Sequence, residues 1–171
     1  MADIQTIDQY SDPELFFRTI RDSLEMIPGL NLTVRGWSMA PVIKDADNVL
    51  LERIDSRDVK KGDIVFFKDQ NSRFICHRVI DKKLLNQEEI FITKGDVSLF
   101  IDVGFTASRI LGVVRKLNRR GKTIELEKNL FYRLIGFLNV KFAKPVIGIT
   151  FIVLRVKNSL ARFLQASRKG F

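Results

Sequence analysis

Apolar positions change their spacing twice along this chain. Between residues 13 and 27, Leu15, Phe16, Ile20, Leu24 and Ile27 recur at the three- and four-residue intervals of one helix face. Ahead of them, Asp12 supplies a capping carboxylate, Pro13 suits a first helical turn, and Glu14 sits near the positive helix end. Pro28-Gly29 ends the run. The spacing predicts an amphipathic helix over 13–27. From residue 30 the pattern shortens to runs of strand length, at 30–35, 47–54, 63–68, 73–81, 90–94, 109–117 and 122–127. The breaks are Asp45-Ala46-Asp47, Lys61-Gly62-Asp63, Asp69-Gln70-Asn71, Gly95-Asp96 and Arg119-Arg120-Gly121. Short strands parted by turn residues predict a mainly β fold, largely antiparallel, as a sheet or barrel. Strands and helices do not alternate, so a doubly wound fold is not expected. Helical spacing returns over 128–142 and 145–166.

These changes divide the chain into an N-terminal helix (1–29), a β body (30–127) and a helical tail (128–171). A domain of ~150 residues buries roughly two thirds of its unfolded surface, so its core needs no metal or crosslink. The single cysteine, Cys76, excludes an intramolecular disulfide. One histidine and one cysteine cannot build a His/Cys zinc site, and no carboxylate cluster suggests another ion. Neither metal nor cofactor is expected.

Charge sets the tail apart. Residues 1–127 hold 20 basic and 20 acidic side chains, whereas 128–171 hold 9 basic and no acidic ones, so the whole net charge of +9 lies there. The stretch from Pro145 to Leu154 is ten residues without a charge. Extending it back to Leu134 reaches 21 residues but takes in Lys141 and Lys144. Each lysine near the centre of a spanning helix costs about 2.5–3.5 kcal/mol. The tail is therefore expected to lie on an anionic membrane surface rather than cross it. Its cations alternate with Phe131, Phe137, Phe142, Phe151 and Phe163, which suits lipid better than duplex nucleic acid. The 29 residues ahead of the strands are too few for a helix-turn-helix module, and no nucleic-acid partner is expected. Residues 1–14 carry Asp3, Asp8, Asp12 and Glu14 and lack the pattern of a secretory signal. A body on the cytoplasmic side, lying against the membrane, is the expectation.

Candidate chemistry centres on Ser38. It follows a strand-like run, with Gly36 two residues before it and Pro41 three after. Glycine allows backbone geometry that a side chain blocks, and a serine at such a bend can project its hydroxyl. A hydroxyl becomes a useful nucleophile only when a base takes its proton. The one imidazole, His77, titrates nearest neutrality of the side chains available. A lone histidine in an apolar strand is ordinarily structural, and on a strand it shares a face with Ile75 and Val79 while Cys76 points away. A carboxylate should orient the imidazole. Asp96 and Asp102 are both available after the 90–94 run; turn chemistry suits Asp96, which directly follows Gly95.

Five boxes stand in order: Gly36-x-Ser38-Met39-x-Pro41; Lys61-Gly62-Asp63-Ile64-Val65; His77-Arg78-Val79; Thr93-Lys94-Gly95-Asp96 with Asp102; and Leu111-Gly112-Val113-Val114. Over roughly residues 30–117 this set resembles signal peptidase I, in the wider group that holds the repressor-type self-cleaving peptidases. The resemblance implies an antiparallel β serine endopeptidase cutting a precursor peptide or protein. Its bacterial branch pairs serine with lysine; its archaeal and endoplasmic-reticulum branch has histidine followed by arginine, as His77-Arg78 here. In that branch an aspartate six residues beyond the Gly-Asp box completes the triad, which falls on Asp102. By resemblance, then, Ser38 is nucleophile, His77 base and acid, and Asp102 the orienting carboxylate. Met39 packs behind the nucleophile, and Lys94 and Asp96 shape the site. The chain departs from the pattern at Gly36, where some members carry a hydroxyl, and at Val97-Ser98, where amides are common. Those departures motivate the alternative, a catalytically degenerate peptide- or membrane-binding domain of the same fold.

Overall fold

A computed structural model of the chain describes residues 12–143. Helix α1 (Pro13–Met26) begins where the sequence places it: the Asp12 Oδ1 accepts the backbone N–H groups of Glu14 and Leu15 at 2.9 and 3.1 Å. Its inner face buries Phe16, Phe17, Ile20 and Leu24. Eight strands follow: β1 (Leu30–Thr33), β2 (Asn48–Glu52), β3 (Ile64–Lys68), β4 (Phe74–Leu85), β5 (Glu88–Lys94), β6 (Phe105–Thr106), β7 (Ile110–Arg119) and β8 (Lys122–Glu125). All pair antiparallel in one curled sheet of order β1-β2-β7-β3-β4-β5-β6, with β8 paired to the far half of β7. A second helix, α2, covers residues 130–143, with the Asn129 side chain accepting the Tyr132 N–H at its start. The tail helix expected over 145–166 lies outside the described residues. Among the described residues no helix is long and apolar enough to cross a membrane.

The sheet is buried on both sides of its centre, which explains why β3 reads Ile64-Val65-Phe66-Phe67 without polar alternation. Successive side chains on a strand face opposite ways. Ile64 and Phe66 join the core beneath α1, with Leu32, Val49, Leu51, Val114 and Leu117. Val65 and Phe67 join a second core with Val59, Val79, Phe91 and Phe105, where the rings of Phe67 and Phe105 stack at 4.1 Å.

The expected strands are all present, and the differences lie at their ends. β4 and β5 meet in a longer hairpin than the 73–81 and 90–94 runs predict, closed by Asn86 and Gln87 at φ 49° and 66°. Two residues at positive φ make the tight turn that matches strand twist. The hairpin tip is exposed on both faces, so its sequence carries no alternation to read. β6 is not predicted at all; two residues are too few for a pattern, and pairing to β5 defines it.

Phe66 is 1% exposed at the centre of the larger core. Phe66→Ala is expected to cost about 3–5 kcal/mol, through lost burial and the cavity left behind. The shift in urea unfolding midpoint measures it.

Candidate active site

Ser38 opens the turn that follows β1. Three features fix that turn. Met39, Val42 and Ile43 are buried beneath it, the Ile43 N–H donates to the Met39 carbonyl at 2.9 Å, and Gly36 takes φ 103° as its N–H reaches Asp45 Oδ1 at 2.8 Å. Farther along, the Arg119 guanidinium grips both oxygens of Asp47 and also donates to the Val42 carbonyl. The turn is thereby tied to β7, and the Ser38 side chain is left at the surface.

His77 lies mid-way along the first half of β4, opposite Val65 of β3. Its Nε2 is 3.0 Å from Ser38 Oγ, and its Nδ1 is 2.7 Å from Asp102 Oδ2. With Asp102 ionised, Nδ1 carries the proton and Nε2 presents a lone pair to the serine hydroxyl. Thr93 fixes the carboxylate in turn. Its hydroxyl donates to the same Asp102 oxygen at 2.6 Å, and its carbonyl accepts the Asp102 N–H at 2.9 Å. Thr93 is fully buried on β5. The three groups line one side of a groove of about 610 Å³ that runs past Gly36, Met39, Phe74 and Cys76.

The two candidate acids have separate work. Asp102 goes to His77. Asp96 goes to Arg78, which reaches it with two parallel bonds of 2.7 Å and spends a third on the Gly62 carbonyl, also at 2.7 Å. Asp96 stands in the turn after β5, as expected, and its side chain is also one half of a buried ion pair. That pair holds Gly95 hard against the site, where a Cβ would fall 2.8 Å from the Ser38 carbonyl oxygen and 3.1 Å from His77 Nε2. Only glycine fits there. The Val97 N–H then donates to the Ser38 carbonyl at 3.1 Å.

Lys94 is held by acceptors other than the serine. Its ammonium donates to the carbonyls of Gly95 and Ser98 and to Asn139 Oδ1 on α2, at 2.9 to 3.0 Å. Burial pushes its titration below the usual lysine range, with Arg78 acting in the same sense and Asp96 opposing. Cys76 faces the α1 side of the sheet, and burial, helped by the charge of Asp96, pushes its thiol up to about 12. Reading the sequence assigned no role to Thr93, Arg78 or Asn139. The first two stand inside the boxes quoted above, so their positions were visible although their partners were not.

Residues 13–91 match the family described as Peptidase S24-like. The match spans α1 to β5, a little under half of the 171 residues. It includes Ser38 and His77 and stops short of Thr93, Asp96 and Asp102. It supports a peptidase-type or self-cleaving fold of the wider superfamily that holds repressor-type and signal peptidase I-like proteins, without choosing between those branches. No curated protein matches the chain.

Two outcomes follow from these side-chain surroundings. Cys76, with its thiol pushed up, is expected to react more slowly with disulfide-exchange reagents at pH 8 in the folded chain than in denaturant, as thiol titration measures. Asp47 titrates below its ordinary value: burial raises it, but Arg119 and the Lys44 N–H outweigh that. Its contribution to stability is therefore complete above the unfolded aspartate range and is lost as pH falls through the lower folded value. Arg119→Met is expected to cost about 3 kcal/mol near neutral pH and clearly less in acid, where an Asp47 without its guanidinium takes up a proton more readily. Denaturant unfolding at the two pH values measures both.

Proposed function

We propose that the chain is a serine endopeptidase of the signal peptidase I type, with Ser38 as nucleophile. One observation carries this reading: an unbroken hydrogen-bond path from Asp102 Oδ2 through both ring nitrogens of His77 to Ser38 Oγ. As Ser38 Oγ attacks a peptide carbonyl, His77 Nε2 takes the hydroxyl proton. The C–O bond forms, the carbonyl electrons move onto oxygen, and Asp102 stabilises the imidazolium. Collapse of the intermediate breaks the C–N bond, and His77 hands its proton to the leaving amine. Water then attacks the acyl-enzyme, with His77 again as base, and releases acid and free serine. The Ser38 N–H is a donor for the developing oxyanion; Gly36 can supply no hydroxyl there. The disposition of Lys94 favours the histidine branch, since its three protons are taken by acceptors other than Ser38.

The substrate is a polypeptide with a small side chain beside the cut, as the resemblance implies, and membrane contact runs through residues 128–171. Ser38→Ala and His77→Ala are each expected to lower cleavage by about 10³-fold or more, and Asp102→Asn by up to ~10⁴-fold with the fold intact. No second imidazole stands in the chain to cover the loss of His77. The assay compares new protein N-termini in cells carrying the intact chain or Ser38→Ala, followed by cleavage of the precursors so found by the purified full chain. Equal cleavage by Ser38→Ala overturns the reading. Peptide binding without labelling of Ser38 by a serine-reactive phosphonate replaces it with a binding domain of the same fold.

A further inference from the structure

His77 faces Ser38, so its neighbour Arg78 faces the other side of β4. A second cavity, of about 520 Å³, lies on that side and is bounded by α2, by residues 60–63, and by β3 and β7. Its volume is that of a small-molecule site. Val42, Ile64, Val114, Leu126 and Val140 give it an apolar wall. It shares no lining residue with the groove beside Ser38.

Cations line the same space in excess. Asp63 and Glu127 are its two acids, and Arg115 holds both. Lys61 pairs with Asp81, and Arg78 with Asp96. The other two cations of the lining, Lys60 and Arg133, pair with no carboxylate among the described residues. Arg78 also has donors to spare. A guanidinium carries five N–H groups, and Arg78 spends two on Asp96 and one on the Gly62 carbonyl. Its side chain is only 5% exposed, so water cannot freely serve the rest. Gly136 of α2 leaves room beside it: a Cβ there would stand 2.9 Å from Nη1. Glycine inside a helix costs about 0.5–1 kcal/mol relative to alanine, so that room is kept at the expense of the helix.

We propose that this cavity binds a small organic phosphate with an apolar body, and that its occupancy is felt at His77 through Arg78. A phosphate monoester carries a charge of about −1.5 to −2 at pH 7 and three strong acceptor oxygens. Two unpaired cations and the unspent donors of Arg78 match that head, and the apolar wall matches the body. An anion beside Arg78 competes with Asp96 for the guanidinium. Asp96 anchors the loop that sets Gly95 against the Ser38 carbonyl and His77 Nε2, so the competition reaches the imidazole. Where Ser38 acts as proposed above, the ligand is an effector of cleavage. That last step rests on the peptidase reading; the binding and its effect on His77 do not.

The experiment titrates the full chain with 1-naphthyl phosphate by calorimetry, with inorganic phosphate as the head alone and 1-naphthol as the body alone. Naphthyl phosphate is expected to bind about 10-fold more tightly than either part. Lys60→Gln with Arg133→Gln, both at exposed positions, is expected to weaken it about 10-fold, as for the loss of one charge-assisted hydrogen bond. Arg35→Gln with Arg73→Gln removes the same charge from the Ser38 groove and is expected to leave the affinity unchanged. His77 is the one histidine, so its ring signals in a carbon–proton correlation spectrum are unambiguous; they are expected to shift and to saturate with the calorimetric affinity. Absence of binding overturns the proposal, as when residues 144–171 fill the cavity. Equal affinity for inorganic phosphate overturns it, because the apolar wall then plays no part. Weakening by the Arg35 and Arg73 pair places the ligand in the groove and overturns it too. Binding with unshifted His77 signals overturns the link through Arg78. None of these readouts depends on cleavage, so a failed peptidase assay leaves them standing and their failure leaves that assay unaffected.

Discussion

Everything about the site depends on one buried ion pair. The side chains of Arg78 and Asp96 are 5% and 1% exposed, and they meet in two parallel bonds. Such a pair adds little net stability over well-packed apolar residues, but losing one partner strands a charge and costs about 3–5 kcal/mol. Its contribution here is geometric. Arg78 joins β4 to the Gly62 turn, and Asp96 brings in the loop after β5. With that loop anchored, Gly95 presses on the Ser38 carbonyl and Val97 bonds to it. A serine on an exposed turn thus gains a fixed wall behind it.

The pleat of β4 makes this possible. His77 and Arg78 are neighbours and so face opposite sides of the strand. One side meets Ser38 and Asp102; the other meets Gly62, Asp96 and the close pass of α2 at Gly136. The proposed chemistry and its support are therefore one residue apart in sequence and a strand's thickness apart in space.

Much of this was legible in the chain. The helix at 13–26 followed from its capping carboxylate and apolar face, and the strands from runs closed by Asp and Gly turns. Asp69 shows why those turns read well: its carboxylate accepts the N–H groups of both Asn71 and Arg73, a local bond that the residue type announces. The Asn86-Gln87 turn read poorly, because glutamine at positive φ is no such marker. Ser38, His77 and Asp102 were named from ordered boxes, and the structure brings them within hydrogen-bond reach. What composition and spacing left open was the division between the two aspartates, since both follow β5 and only three-dimensional pairing assigns Asp96 to a guanidinium. Thr93 and Asn139 were beyond reach for the same reason: a buried hydroxyl or amide becomes meaningful through its partner.

The loop from Asp96 to Asp102 acts as a caliper. Both ends are clamped, one by Arg78 and the other by Thr93 and His77. An inserted or deleted residue would pull one carboxylate off its partner, whereas a change of side chain at 97 or 100 leaves both jaws set. Length and composition are thereby uncoupled over these few positions. Such a segment can drift from greasy to polar as its surroundings change, without disturbing the hydrogen bonds beside it.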